Sequence, residues 1–357
     1  MAILYVCFVK YIALQQISKR KQPVKINEHL RKYLNMYGRS TTIPIQYLYL
    51  KNFKESIALY DKKGKDTLWE TCIYPQSEMK QIHHDLLKIY ALLKTGGDVN
   101  ILEHLAVERI DYCLYGNSLP FRIRVVNKLN DNFDYFYIKN ADASRIYGLE
   151  LEHLLSPNRI GYLVSGDTLI EEHIMGVPGD EFLKTYFKKE NFNAIRLAKD
   201  FVKFNERCFV RLLGDMHSSN FVIQIIPDFE EIHYRIRAID FDQQSNEGRK
   251  NVYLPQFYKQ NVEYVNLVRE CLSKESIHQY QLEERSIMVA RLKAAKWMVF
   301  NLLHAMNKDN ISTPEKVEVL KHELGIHYQN TRFLKAKNMA GILKTCLLQL
   351  IKNNSNS

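Results

Sequence analysis

Residues Leu212 to Ile223 read LLGDMHSSNFVI, and residues Ile239 to Gln243 read IDFDQ. The first stretch sets Gly214, Asp215, His217 and Asn220 on a short polar segment between apolar runs. Gly, Asp, Ser and Asn all favour turns, so the segment reads as a tight loop. The second stretch closes an apolar run with two acids, Asp240 and Asp242. NFVIQII and HYRIRAID read as a hairpin around PDFEE, which joins the two stretches into one local unit.

A carboxylate that can accept a hydroxyl proton, plus carboxylate and amide oxygens for Mg²⁺, are the parts phosphoryl transfer requires. Asp215 and Asn220 stand five positions apart, and Asp240 lies on the next strand. This spacing can aim Asp215 at a substrate while Asn220 and Asp240 meet one metal.

Upstream, RIDYCLY, FRIRVVNKL and FDYFYIK are runs of β-branched and aromatic residues. GNSLP and NDN separate them, which predicts a three-stranded antiparallel meander. A helix follows over ASRIYGLELEHLLS and stops at Pro157, and GYLVSG and TLIEEHIMG read as two short strands. FNAIRLAKDFVKFNERCF predicts one amphipathic helix leading into the polar loop. Helical patterns continue around 256–273, 280–307, 313–323 and 335–352, with MVARLKAAKWMVFNLLHAM as a core helix. Residues 1–105 read as mixed: IPIQYLYLKNF as extended, and SEMKQIHHDLLKIYALLKTGG as a helix capped at Gly96–Gly97.

Asp215, Asn220 and Asp240, in the form G-D-x-H-x-x-N with a later Asp, resemble the catalytic loop and metal-binding Asp of the protein-kinase-like superfamily. The form is most similar to the aminoglycoside phosphotransferase and choline kinase branch. The resemblance spans roughly residues 106–310 and implies an α+β, two-lobed kinase-like fold. The expected divisions are an N-terminal extension over 1–105, a small antiparallel-sheet lobe over 106–176, and a helical lobe over 177–352. It implies that Asp215 is the base, and that Asn220 and Asp240 are Mg²⁺ ligands. Asp242 is expected to hold a second ion or brace the loop.

Lys139, ending the third strand, is implied as the contact to the ATP phosphates. Glu150 is its preferred ion-pair partner and Glu152 the alternative. GNSLP is placed like the phosphate-covering loop, through Gly116, Ser118 and backbone N–H groups. The backbone around Glu172 and Ile174 is placed like the hinge that faces adenine.

The chain departs from the pattern in several places. Leu213 and Gly214 replace the usual catalytic-loop His and Arg, GNSLP holds one glycine, and Phe241–Asp242 follows the metal Asp. QQSNEGRKNVYLPQF leaves little room for a protein-kinase activation segment, which favours a small-molecule acceptor. Two other readings stay open. One is an inactive nucleotide-binding or scaffold protein. The other is a kinase-fold enzyme that phosphorylates a protein or transfers a nucleotidyl group. His217 orients the loop or contacts substrate.

The rest of the composition is ordinary for a globular protein, with 46% hydrophobic and 25% charged residues. The formal charge of +10 fits an anionic partner or scattered surface lysines, and no nucleic-acid motif stands out. SKRKQPVK reads as a solvated run. No C-x-x-C pair occurs among the six cysteines, which argues for reduced thiols and a cytoplasmic protein. MAILYVCFVKYIAL is too short for a membrane span or a signal sequence and reads as a buried strand or helix. IHHD, at His83–Asp85, matches part of a metal-dependent phosphohydrolase pattern, but further ligands are missing and the helix is explained by its amphipathic spacing. Oligomeric state is not legible.

Overall fold

The computed structural model describes residues 21–355, apart from 115–117, 188, 190–191 and 229–231. MAILYVCFVKYIAL and the start of SKRKQPVK lie outside the described residues. The chain divides into two compact units.

The first unit contains residues 38–142 and 161–173, with 21–25. Its seven strands are β1 (Glu55–Tyr60), β2 (Asp66–Ile73), β3 (Leu105–Cys113), β4 (Phe121–Asn127), β5 (Phe133–Asn140), β6 (Tyr162–Ser165) and β7 (Thr168–Glu172). They form one antiparallel sheet in the order β1-β2-β3-β4-β5-β7-β6. The expected meander is β3-β4-β5. Strand alternation explains its two faces. Phe121, Ile123 and Val125 of β4 are buried in a cluster with Ile82, Leu86 and Ile89 of a helix over Gln76–Thr95. Arg122 and Arg124 point the other way, where Arg122 sits 4.3 Å from the Trp69 ring and pairs with buried Asp111. The helix over Gln76–Thr95 ends on Gly96 at φ 67°, the left-handed conformation that glycine adopts without strain.

Three expectations change. Residues 43–53 are not a strand: they hold one helical turn over Tyr47–Leu50, with Tyr47 and Leu50 buried in the same cluster. A β1–β2 hairpin extends the sheet, so the boundary expected at 105 falls inside one unit. This hairpin is weakly patterned because it lies at the sheet edge and is half-exposed along its length. Lys21 is not a solvated lysine: its Nζ lies 2.8 Å from Asp142 and its side chain is buried.

The second unit contains residues 26–37, 143–160 and 174–355. Its described helices include α1 (Glu28–Met36), α2 (Ala143–Leu155), α3 (Ala194–Arg211), α4 (Val262–Cys271), α5 (Lys274–Ala294), α6 (Lys296–Met306), α7 (Pro314–His327) and α8 (Met339–Ser355). A small sheet pairs Val177–Pro178 with β8 (Phe221–Pro227), and β8 with β9 (Ile232–Ala238). Helix α3 is central, packing on α4, α5, β9 and α8. Most of its length from Phe201 to Arg211 is buried. Helix α2 packs on α5 and α6, and α1 on α6. The expected core helix over 288–306 is two helices meeting at Ala295, with Trp297 and Phe300 exposed.

All five described cysteines are free thiols. No described helix is long and apolar enough to cross a membrane.

Candidate active site

The polar loop is built from the end of α3. Leu212 takes φ 55°, a left-handed conformation unusual for a bulky residue. Such backbone persists only where its surroundings over-determine it. Here Ser245 N–H donates to Leu212 O at 2.8 Å, and the Gln244 side-chain amide donates to Arg211 O at 2.6 Å. Leu213 N–H donates to Cys208 O at 2.9 Å, and Leu213 forms an antiparallel bridge with Gln244. Gly214 N–H donates to Gln243 O at 3.2 Å. The segments 212–214 and 243–245 are thus laced together by main chain.

That lacing accounts for two departures from the kinase pattern. Leu213 is fully buried and holds the loop through its backbone, so the loop does not depend on an imidazole. A Cβ on Gly214 would stand 3.1 Å from Val252 Cγ1 and 3.2 Å from Gln243 O, so a larger residue there would require its neighbours to give way.

Asp215 is also left-handed, at φ 61°. Its N–H donates to Tyr258 Oη at 2.9 Å, and that hydroxyl donates to Val252 O at 2.8 Å. The carboxylate itself is 41% exposed. Burial pushes its pKa above the ordinary value; His217 opposes this, and Asp240, Asp242 and Glu247 add to it. His217 Nε2 is 3.9 Å from Asp215 Oδ1. Asn220 donates its side-chain amide to Asp215 O at 2.7 Å. Its backbone carbonyl accepts from Ile239 N–H at 3.0 Å, which sets Asn220 beside the start of the acidic pair. With the amide N–H held, the side-chain oxygen is the end of Asn220 left for a ligand.

The acidic pair is organised by a residue that sequence reasoning missed. Arg145 Nη1 donates to Asp240 Oδ1 at 2.8 Å and to Asp242 Oδ1 at 2.9 Å. Its Nη2 lies 3.3 Å from Ile239 O. Arg145 sits on α2 and is buried. The same helix presents Ser144, whose Oγ donates to Gln244 O at 2.9 Å. It also presents Gly148, where a Cβ would stand 2.9 Å from Phe241 Cβ. Only glycine lets the helix approach the 239–245 segment this closely. Asp242 N–H donates to Asp240 Oδ1 at 3.0 Å, closing a turn.

These contacts separate the two acids. The Asp240 side chain is 34% exposed, while Asp242 is 6% exposed and held by Arg145. Asp242 is held against the loop by Arg145, an arrangement in keeping with the bracing alternative of the two expected for it. Among the described residues no group of three His, Cys, Asp or Glu side chains could hold a metal alone. Mg²⁺ commonly takes one or two protein oxygens and completes its shell with phosphates and water. Asp240 and Asn220 fit that limited demand.

In the first unit, Lys139 Nζ lies 2.8 Å from Glu171 Oε2, and both side chains are buried. The expected partner was Glu150 or Glu152. The register explains Glu171: Tyr137 pairs with Glu171 and Lys139 with Leu169, so Lys139 and Glu171 are diagonal neighbours on one face. Glu150 and Glu152 belong to the second unit. Glu150 accepts from Tyr33 Oη at 3.1 Å, and Glu152 pairs with Arg211 in the core.

The remaining positions fall as follows. Gly116 lies outside the described residues, and Ser118 is half-buried in the turn before β4. Glu172 N–H is engaged by Gly161 O at 2.9 Å, and His173 N–H by Tyr135 O at 3.3 Å. These two donors serve the sheet. Ile174 is buried and opens the second unit's last segment. Arg145, Tyr258, Gln244 and Glu171 had no local sequence signal, apart from the small residues that flank Arg145 on its helix.

A scan against protein-family models returns no match for this chain, and a comparison with curated proteins returns none.

Proposed function

We propose that this chain is an ATP- and Mg²⁺-dependent phosphotransferase with a protein-kinase-like fold, acting on a hydroxyl of a small-molecule acceptor. The observation that carries this reading is the Asp215–Asn220 loop. A left-handed Asp is held by Tyr258, its carbonyl is tied to Asn220, and its pKa is raised by burial, with Asp240 and Asp242 adding to the rise. Perturbed carboxylates on an over-determined loop mark functional sites.

In this reading Asp215 accepts the proton of the acceptor hydroxyl as the oxygen attacks the γ-phosphorus, the bond to the β–γ bridging oxygen breaks and ADP leaves with that electron pair. His217, at 3.9 Å, steadies that carboxylate. Asn220 and Asp240 hold Mg²⁺, which offsets phosphate charge when bound. Lys139 is assigned the nucleotide phosphates, with buried Glu171 fixing its ammonium. The short run from Gln243 to Phe257 favours a small acceptor over a protein.

A second reading, an inactive nucleotide-binding protein, is favoured by Arg145, which already neutralises part of the acidic pair. Thermal shift with ATP, with and without Mg²⁺, combined with labelled-ATP transfer to metabolite pools, tests both readings. Metal-dependent stabilisation with a phosphorylated product supports the enzyme. Stabilisation without any product supports the inactive reading. Intact-mass measurement separates phosphoryl from nucleotidyl products, and labelling confined to proteins overturns the small-acceptor assignment.

A further inference from the structure

We propose that a pocket among α3, α4 and α5 of the second unit binds a small carboxylate with an aliphatic body, and that its occupancy is felt at Asp215. The proposal does not depend on the phosphotransferase reading, and its test uses no nucleotide.

The pocket holds about 320 Å³, the small end of the range for ligand sites. Its walls are Phe201 and Val202 of α3, Val265 and Val268 of α4, and Ile277 of α5. Phe257, 55% exposed, lines it from a 3₁₀ turn over Pro255–Phe257. Gln256, Arg269 and Gln281 share the lining. Among the described residues, none of these three side chains has a hydrogen bond, an ion pair or a ring contact. No lining residue is acidic. Apolar walls with a few unengaged polar groups are the composition of a small-molecule site. The one charge is a permanent cation, and a guanidinium takes a carboxylate through two parallel N–H bonds. The amides of Gln256 and Gln281 add further donors. A cationic ligand would meet Arg269 with no counter-charge from the lining.

The same pocket is bonded to the Asp215 loop. Asn205 also lines it, donating its side-chain amide to Phe201 O at 2.8 Å and accepting from Gln256 N–H at 2.9 Å. This fixes the 3₁₀ turn on α3. Fully buried Asn261 donates to Pro255 O at 2.8 Å and to Met216 O at 2.9 Å. Tyr258, directly after the turn, accepts from Asp215 N–H at 2.9 Å. The segment 255–261 is therefore one wall of the pocket and also the support of Asp215 and Met216. A ligand packed against Gln256 and Phe257 restrains that segment, and the loop with it.

The test titrates octanoate into the full chain, followed by ligand-observed NMR. Octanoate should bind with a dissociation constant on the order of 1 mM or tighter, the strength expected of so few atoms. Hexanoate should bind about tenfold weaker, since each buried CH₂ is worth roughly fourfold. Octylammonium, with the same chain and the opposite charge, should also bind at least about tenfold weaker. Arg269→Gln should cost octanoate about threefold, the scale of a solvent-facing ion pair, and leave 1-octanol unaffected. Val268→Trp, which fills the pocket, should abolish octanoate binding. Circular dichroism checks that each variant folds. Should Val268→Trp fail to fold, hydrogen exchange of the wild-type chain still locates the site: octanoate should protect the segments that line the pocket and, through Tyr258 and Asn261, Leu212–Asn220. No binding below about 10 mM, equal affinity for octylammonium, or protection confined to other segments overturns the proposal. Protection of the pocket without Leu212–Asn220 overturns the link to Asp215. None of these failures touches the phosphotransferase reading.

Discussion

Substituting Glu152 by Ala separates a structural carboxylate from a nucleotide-site carboxylate. Glu152 is 2% exposed and pairs with Arg211, which is 1% exposed. Burial alone pushes the Glu152 carboxyl up, but Arg211 and then Arg207 hold it below the ordinary value. It is therefore charged at neutral pH, and its stabilising contribution is lost only as pH falls through that depressed pKa. Removing it leaves Arg211 buried with Arg207 O at 3.0 Å as a neutral acceptor for Nε. Breaking a buried ion pair from one side costs about 3–5 kcal/mol. At about 2–4 °C per kcal/mol for a unit of this size, the second unit should melt roughly 6–20 °C lower. Arg211 also ends α3, immediately before strained Leu212, so the Asp215 loop should lose order with it. Replacing both partners, Glu152→Leu with Arg211→Met, should recover most of the loss, because an apolar pair of similar volume needs no counter-charge. The assay is thermal unfolding followed by circular dichroism, with ATP titrated into each variant below its transition. A fall of less than about 2 °C in Glu152→Ala, with ATP affinity strongly reduced, would refute the reasoning and return Glu152 to the nucleotide site.

Three further outcomes follow from the same contacts. Because burial and neighbouring acids raise the Asp215 pKa above 3.8, its base form should be lost as pH falls through that raised value. The acid limb of kcat/KM should thus lie above the ordinary aspartate range and vanish in Asp215→Asn, while a limb at or below 3.8 counts against Asp215 as the base. The raised pKa also means that the ionised group costs stability at neutral pH, so Asp215→Asn should melt slightly higher at pH 7 and lose that advantage as pH falls through the raised folded pKa toward 3.8. Gly214→Ala should destabilise by about 1–3 kcal/mol through overpacking against Val252 and Gln243, measurable by denaturant titration, and an unchanged midpoint would show that the loop gives way freely. Lys139→Met should weaken ATP binding and lower the melting temperature, since it takes an ammonium from buried Glu171. Adding Glu171→Leu should restore melting but not ATP affinity, and recovery of both would make Lys139 purely structural.

The elements of both units were largely legible in the chain's local pattern. Alternation of Phe121, Ile123 and Val125 with Arg122 and Arg124 specified a strand and its buried face. The 3.6-residue spacing of Ile82, Leu86 and Ile89 specified a helix, and Gly96 marked its end. Turn-forming residues between apolar runs located the Asp215 loop, and the following hairpin pairs Ile223 with Ile236 as its alternation requires. Such features depend on neighbours a few residues apart, so one sequence suffices to read them. The contacts that hold charged and polar side chains within each unit were different. Glu171 reaches Lys139 because β7 docks beside β5 in one register, and a shift by one residue would have put it on the other face. Tyr258 meets Asp215 from 43 positions away, and Arg145 meets Asp240 from 95. Neither separation leaves a periodic trace. Arg145 in particular sits in an ordinary helical pattern, and only packing, through the missing side chain of Gly148, brings its charge onto the acidic pair. Local backbone preference decided which segments are helix, strand and loop. Burial then decided which charges had to find each other, because an ion removed from water is stable only against a partner the tertiary fold delivers.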